Sequence, residues 1–215
     1  MRLTLILCLV PLTCLAQDIK PPSVKVTVDT TEVPELADWG ATAKTLVETW
    51  YPKIVKLLKT EGYQPPDEIT LLFKKEMKGV AFASGKTITI SGDWVKAHPE
   101  DLGMVVHELT HVIQAYPGNR GAGWLVEGIA DNIRFIHFEP QTKITIRNPE
   151  KASYRDSYRT AAKFLDWIEK KYDPQLISKL NAALRSRSYT PKVFKERTTK
   201  TLDELWTEFV ETLPL

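Results

Sequence analysis

The chain has 215 residues, of which 43% are hydrophobic and 26% are charged, which suits one sizeable domain or two lobes that share a cleft. Its 29 Lys and Arg residues nearly balance its 27 Asp and Glu residues, so that the net charge is only +2. This balance excludes the strong positive field that would recruit nucleic acid or an anionic membrane surface.

The first 16 residues have the composition of a secretory signal peptide. Arg2 supplies the positive charge, residues 3–12 are almost wholly apolar, and Ala16 is a small residue that a signal peptidase accepts. We therefore expect a mature domain of residues 17–215 that is secreted or periplasmic and has no membrane-spanning segment. A lipoprotein acylated at Cys14 is the alternative, although the residues before this cysteine fit such a site poorly.

The first half of the mature chain, residues 17–115, is expected to combine a mixed sheet with helices. A long helix is predicted at residues 34–59, with Pro52 bending or dividing it. Alternating apolar and polar residues predict four strands, at residues 24–28, 68–74, 80–84 and 87–91, of which the last two form a hairpin around Gly85.

A mostly buried helix is predicted at residues 99–115, because its sequence leaves little polar face. The second half, residues 116–215, is expected to be mainly helical. Its helices are predicted from Trp124 onward and at residues 158–171, 174–186 and 202–212, with aromatic side chains in their core.

The predicted helix at residues 99–115 carries the sequence His107-Glu-Leu-Thr-His111. Two histidines four residues apart differ by about 40° around a helix, so both imidazoles can reach one metal ion. Zinc held in this way activates water, and the adjacent carboxylate of Glu108 can take the proton. The pattern therefore predicts metal-assisted hydrolysis; a core histidine pair without metal is the alternative.

The next helix places Glu127, Asp131 and Arg134 on one polar stripe. Glu127 would complete a site of two histidines and one carboxylate, and Asp131 would accept the free N–H of a ligating histidine. Gly128 and Ala130 are expected to keep this helix slim enough to approach the first one. A surface stripe of ion pairs is the alternative interpretation.

Four segments together resemble the plant and bacterial basic secretory protein peptidases, namely residues 107–114, 124–131, 158–167 and 201–206. The resemblance implies a zincin-like α+β fold, with an N-terminal mixed sheet that carries the active-site helix and a C-terminal helical lobe. It also implies an exported, zinc-dependent (Zn²⁺) peptidase.

The same resemblance assigns roles to individual residues. It implies that His107, His111 and Glu127 are metal ligands, that Glu108 is the general base, and that Asp131 supports a ligand. Tyr158 matches a family tyrosine, and we expect its hydroxyl to stabilise the oxyanion. Tyr154 and Tyr116 are rivals for this role, and a purely structural hydroxyl contact is equally compatible with the sequence.

The remaining histidines, His98 and His137, lack ligand spacing and are expected at the surface or at helix ends. Residues 79–84 are expected to form the edge strand that pairs with an extended substrate. The loop at residues 117–123, with Asn119 and Arg120, could wall one end of the cleft.

The sequence thus predicts a secreted monomer that hydrolyses a peptide or protein substrate by attack of a zinc-activated water. Two alternatives remain open: an inactive relative that binds protein or cell-wall material, and a metal-dependent hydrolase of a non-peptide amide. The presence of Glu108 disfavours the inactive relative, since a binding protein has no need of it. Imidazole and carboxylate ligands also suit other divalent metals.

Overall fold

The computed structural model describes residues 22–118 and 121–213. The expected signal peptide, its cleavage before Gln17 and the alternative acylation of Cys14 lie outside the described residues, as do Asn119 and Arg120. No helix in the described ranges is both long enough and apolar enough to cross a membrane.

A four-stranded mixed sheet forms in the first half of the described chain. Its strands are β1 (Lys25–Asp29), β2 (Glu68–Lys74), β3 (Ala81–Ser84) and β4 (Thr87–Ser91), in the order β1-β2-β4-β3. The β1–β2 and β2–β4 pairs are parallel, and β3 and β4 form the predicted antiparallel hairpin. Gly85 turns this hairpin with a φ of +58°, a conformation that glycine adopts without strain.

Three helices accompany the sheet: α1 (Ala37–Leu57), α2 (Gly92–Ala97) and α3 (Gly103–Gln114). Pro52 does not divide the first helix, because α1 runs through it without interruption. Proline removes one helical N–H, and the carbonyl that loses its donor is that of Glu48, an exposed residue that water can reach. Helices α1 and α3 pack against each other and against the sheet.

Helix α3 begins at Gly103, later than the predicted start near Pro99. The side chain of Asp101 stabilises the start of α3. It accepts hydrogen bonds from the backbone N–H of Met104 at 3.3 Å and from the indole N–H of Trp94 at 3.0 Å. A β-carbon at Gly103 would lie 2.0 Å from a carboxylate oxygen of Glu139, so glycine at this position leaves room for that carboxylate.

The second half of the described chain is helical. It contains α4 (Gly123–Asn132), a π-helical segment (Ile133–Phe138), α5 (Tyr158–Lys171), α6 (Leu176–Arg185), α7 (Lys192–Thr198) and α8 (Leu202–Glu211). Two of these helices begin at strong sequence signals. Ser157 caps α5 by accepting from the backbone N–H of Thr160, and Thr201 and Glu204 form a capping box at the start of α8.

Gly128 of α4 serves a different contact from the predicted one, whereas the role of Ala130 stays a prediction. A β-carbon at Gly128 would lie 2.7 Å from the β-carbon of Ala161 and 3.3 Å from Leu165, both on α5. Gly128 therefore brings α4 close to α5 and not to α3. The fold is nevertheless the predicted α+β class, whereas the division into two lobes at residue 115 stays a prediction.

Candidate metal centre

Helices α3 and α4 run antiparallel and are joined by polar contacts along their length. The contacts between the helices are His107 with Asp131, His111 with Glu127, and Gln114 with the carbonyl of Val126. The pair of Asp101, just before α3, and Arg134, just after α4, continues this row. Most of these side chains are buried or partly buried, in helices that are otherwise largely apolar. A buried polar row of this kind is stable only when its members satisfy one another or bind a ligand.

Three potential ligand atoms meet in the middle of this row. The Nε2 atoms of His107 and His111 are 3.0 Å apart, and each lies 3.2 Å from Oε2 of Glu127. These three side chains form a group that could hold a metal ion. The structure thus brings together the three residues that the sequence predicts as ligands.

Contacts of the two Nδ1 atoms determine that Nε2 of each imidazole faces the centre. Nδ1 of His107 lies 2.7 Å from Asp131, and Nδ1 of His111 lies 2.8 Å from the side-chain carbonyl of Gln114. The amide group of Gln114 donates to Val126 at 3.1 Å, which orients its carbonyl oxygen toward His111. Because both outer partners are acceptors, both Nδ1 atoms must donate, and the neutral rings present Nε2 lone pairs to the same point.

This arrangement fits a divalent cation. Two imidazole lone pairs and a carboxylate oxygen directed at one point repel each other unless a positive charge lies between them. Zinc–nitrogen bonds of about 2.0–2.1 Å in a tetrahedral site put neighbouring ligand atoms about 3.4 Å apart. The separations of 3.0–3.2 Å observed here are close to that value.

The surrounding charges shift the pKa values of the ligands. Burial alone would lower the pKa of His107, but hydrogen bonds to Asp131 and Glu127 outweigh burial and raise it to about 9. Burial would raise the pKa of Glu127, but its bonds to the two histidines lower it to about 2. The carboxylate is therefore ionised at neutral pH, whereas a proton competes with any cation for His107.

Glu108 lies beside the group without joining it. It lines a cavity of about 280 Å³ together with His107, Asp131 and Tyr158. Burial raises the pKa of Glu108, while the two neighbouring histidines and the backbone N–H of Ala83 oppose that shift. A carboxylate with a raised pKa, next to a candidate metal centre and a cavity, is suited to accept a proton.

Of the three tyrosines proposed for the oxyanion, Tyr116, Tyr154 and Tyr158, only Tyr158 lines this cavity. Its side chain is 54% exposed, and its ring lies 6.3 Å from that of His107 in a stacked arrangement. The charge of Glu127 is the main cause that raises the pKa of Tyr158, so the hydroxyl keeps its proton. Tyr154 is buried among aromatic rings and Tyr116 donates to Asn181, so both rivals are engaged elsewhere.

Gln114 is the residue at this centre that the sequence analysis missed. It is polar, buried, and three residues beyond His111 on the same helix, which is the signal that could have identified it. The two other histidines lie outside the group, in agreement with expectation. His98 ends α2 and stacks on Trp94, and His137 is exposed on the π-helical segment.

The hairpin expected to receive substrate borders this centre. Strand β3 is at the edge of the sheet and packs along α3. Its outer backbone groups have no neighbouring strand among the described residues. Substrate pairing with this edge stays a prediction.

Comparison with known proteins identifies a family for this chain. A family model described as a peptidase of plants and bacteria matches residues 36–209, a range that includes all the residues of the centre. No curated protein and no solved structure matches the chain.

Proposed function

We propose that this chain, which belongs to a family of peptidases of plants and bacteria, is a zinc-dependent peptidase. The observation that carries the proposal is the convergence of two imidazole nitrogens and one carboxylate oxygen within 3.2 Å of each other. Two histidines and a glutamate are a ligand set of catalytic zinc in peptidases. When bound, zinc would polarise a carbonyl oxygen and activate water.

The chain's own residues supply the remaining chemistry. Asp131 and Gln114 hold the two imidazoles in the tautomer that presents Nε2 to the metal. Glu108 takes a proton from the attacking water and passes it to the leaving amine, a role that its raised pKa supports. The hydroxyl of Tyr158 donates a hydrogen bond to the oxygen on which negative charge develops.

A comparison of the wild type with Glu108→Gln tests the general-base role. Both purified proteins are loaded with zinc, their metal content is measured, and cleavage of casein and of a peptide library is followed. We expect equal zinc content and a fall in cleavage of at least about 100-fold in the variant. Equal cleavage by both proteins would contradict the role of Glu108.

The same measurements of zinc content and cleavage, extended to two ligand variants, separate the alternative functions and ligand sets. A wild type that holds zinc but cleaves no peptide would favour a binding protein or a hydrolase of a non-peptide amide. Loss of zinc in His111→Ala together with its retention in Glu127→Ala would move the third ligand to Asp131. The zinc contents of these two variants do not depend on the choice of substrate.

Export of the chain is a separate part of this proposal. It is supported by the composition of residues 1–16, and it places a monomeric enzyme outside the cytoplasm, where it meets peptide or protein substrates. Mass spectrometry of the exported protein tests it, with Gln17 expected as the first residue. A lipid on Cys14 would favour the lipoprotein alternative.

A further inference from the structure

The cavity beside the candidate metal centre has two chemically different walls. His107 and Glu108 form one wall, on α3. The other wall comes from the π-helical segment and the start of α5, and it includes Phe135 and Arg159. A group bound against the second wall would therefore lie next to the residues proposed to cleave the peptide bond.

Two arginines lie against the ring of Phe135. The guanidinium carbon of Arg134 is 4.7 Å from the ring centre, and that of Arg159 is 4.5 Å from it. Such contacts hold a guanidinium by attraction to the aromatic face without occupying its N–H donors. Both arginines line the cavity, so their other partners decide which of them is available to a ligand.

Arg134 is already paired inside the protein. It donates to Asp101 at 2.6 Å and to Glu139 at 3.3 Å. Arg159 is exposed, and no carboxylate among the described residues forms an ion pair with it, unlike Arg134 or Arg197. The cavity thus contains one arginine that is paired within the protein and one, Arg159, that forms no ion pair among the described residues.

Of the three carboxylates that line the cavity, Glu108 is the proposed general base, and the other two have partners elsewhere. Asp101 is held by Arg134, and Asp131 accepts from His107 at 2.7 Å. Neither carboxylate competes strongly for Arg159. A guanidinium presents parallel N–H donors that match the two oxygens of a carboxylate, and peptides carry carboxylates on Asp and Glu side chains and at their C-terminus.

We propose that Arg159 binds a carboxylate of the substrate, so that this cavity selects peptides that present a negative charge beside the cleaved bond. The inference rests on the proposed peptidase function. The charge has two possible sources, an acidic side chain or the free C-terminus, and the experiment below distinguishes them.

Binding is measured with labelled peptides on the zinc-loaded Glu108→Gln protein, so that the readout does not depend on cleavage. One pair of peptides is amidated at the C-terminus and carries Glu or Gln at a single scanned position. A second pair is uncharged in its side chains and ends in a free carboxylate or an amide. Fluorescence anisotropy gives the dissociation constant of each peptide.

We expect the charged member of one pair to bind about 10- to 100-fold more tightly than its neutral partner, as a bidentate charged hydrogen bond would provide. When Arg159→Gln is introduced into the Glu108→Gln protein, the ratio of the two dissociation constants should fall close to one. Arg159→Lys in the same protein should leave an intermediate ratio. Arg155→Gln is the matched control, because Arg155 is also exposed and lies 5.0 Å from the ring centre of Tyr154, but does not line the cavity. The control should retain the full ratio.

The pair that shows the effect identifies the source of the charge. Equal binding within both pairs, or a ratio that survives Arg159→Gln, would overturn the inference. Cleavage by the protein with Glu108 intact is followed with the same peptides. A charge ratio without any cleavage would refute the peptidase while leaving the role of Arg159 in place.

Discussion

Substitution of Asp131 tests how the metal centre is held in position. Asp131 accepts from Nδ1 of His107 at 2.7 Å, and its side chain is only 8% exposed, so water does not readily replace it. Loss of a carboxylate that supports a ligating histidine lowers metal affinity by about 10- to 100-fold. Since each factor of ten corresponds to about 1.4 kcal/mol, Asp131→Asn should weaken zinc binding by roughly 1.4–2.8 kcal/mol.

The effect should depend on pH, because the same carboxylate favours both the metal and the competing proton. In metal-free protein the pKa of His107 is about 9, with Asp131 as the strongest cause that raises it. Affinity for zinc therefore falls as the pH falls through 9, and at pH 7 protonation weakens binding by about 100-fold. Asp131→Asn lowers this pKa, so its deficit should be largest near pH 9.5 and shrink toward pH 7.

A chelator-buffered zinc titration at several pH values measures both effects. Asp166→Asn is the control, because Asp166 pairs with Lys170 on α5 and lies outside the cavity beside the metal centre. Equal affinities of wild type and Asp131→Asn at pH 9.5 would refute the role assigned to this carboxylate. A deficit that stays constant between pH 7 and 9.5 would refute the assigned competition between proton and metal.

Two further substitutions test neighbouring contacts. Gln114→Leu removes the acceptor of Nδ1 of His111 and should lower zinc affinity about tenfold in the same titration; unchanged affinity would mean that the tautomer is fixed in another way. Gly128→Ala places a β-carbon 2.7 Å from that of Ala161 and should destabilise the fold by about 1–3 kcal/mol in urea unfolding. The exposed Thr42→Ala serves as control for that measurement, and an unfolding midpoint equal to that of the wild type would show that α4 and α5 separate easily.

Long elements with clear signals at their ends could be predicted from the sequence. Strand β2 has the predicted bounds of Glu68–Lys74, and α5 has the predicted bounds of Tyr158–Lys171 because Ser157 caps it. Helices α2 and α7 were not predicted, since six or seven residues offer too little periodicity to distinguish a helix from a loop. The late start of α3 depends on Asp101, whose partner Arg134 is 33 residues away.

The candidate site was more predictable than its surroundings. The spacing of His107 and His111 reflects helix geometry, Glu127 belongs to the polar stripe of the next helix, and the structure brings the three together. The contact of Gly128 depends on which helix this residue faces, and helical periodicity alone does not give that information. The free donors of Arg159 also follow from the tertiary fold, because the sequence does not reveal which arginine Asp101 and Glu139 engage.

The antiparallel pairing of α3 with α4 limits how the chain can change in length. One residue inserted between His107 and His111 would turn one imidazole by about 100° and direct it away from its partner. An insertion between Glu127 and Asp131 would separate the carboxylate oxygen that faces the two Nε2 atoms from the one that accepts from Nδ1 of His107. Insertions and deletions should therefore be tolerated in the connection between these helices, while the helices themselves keep a fixed number of residues.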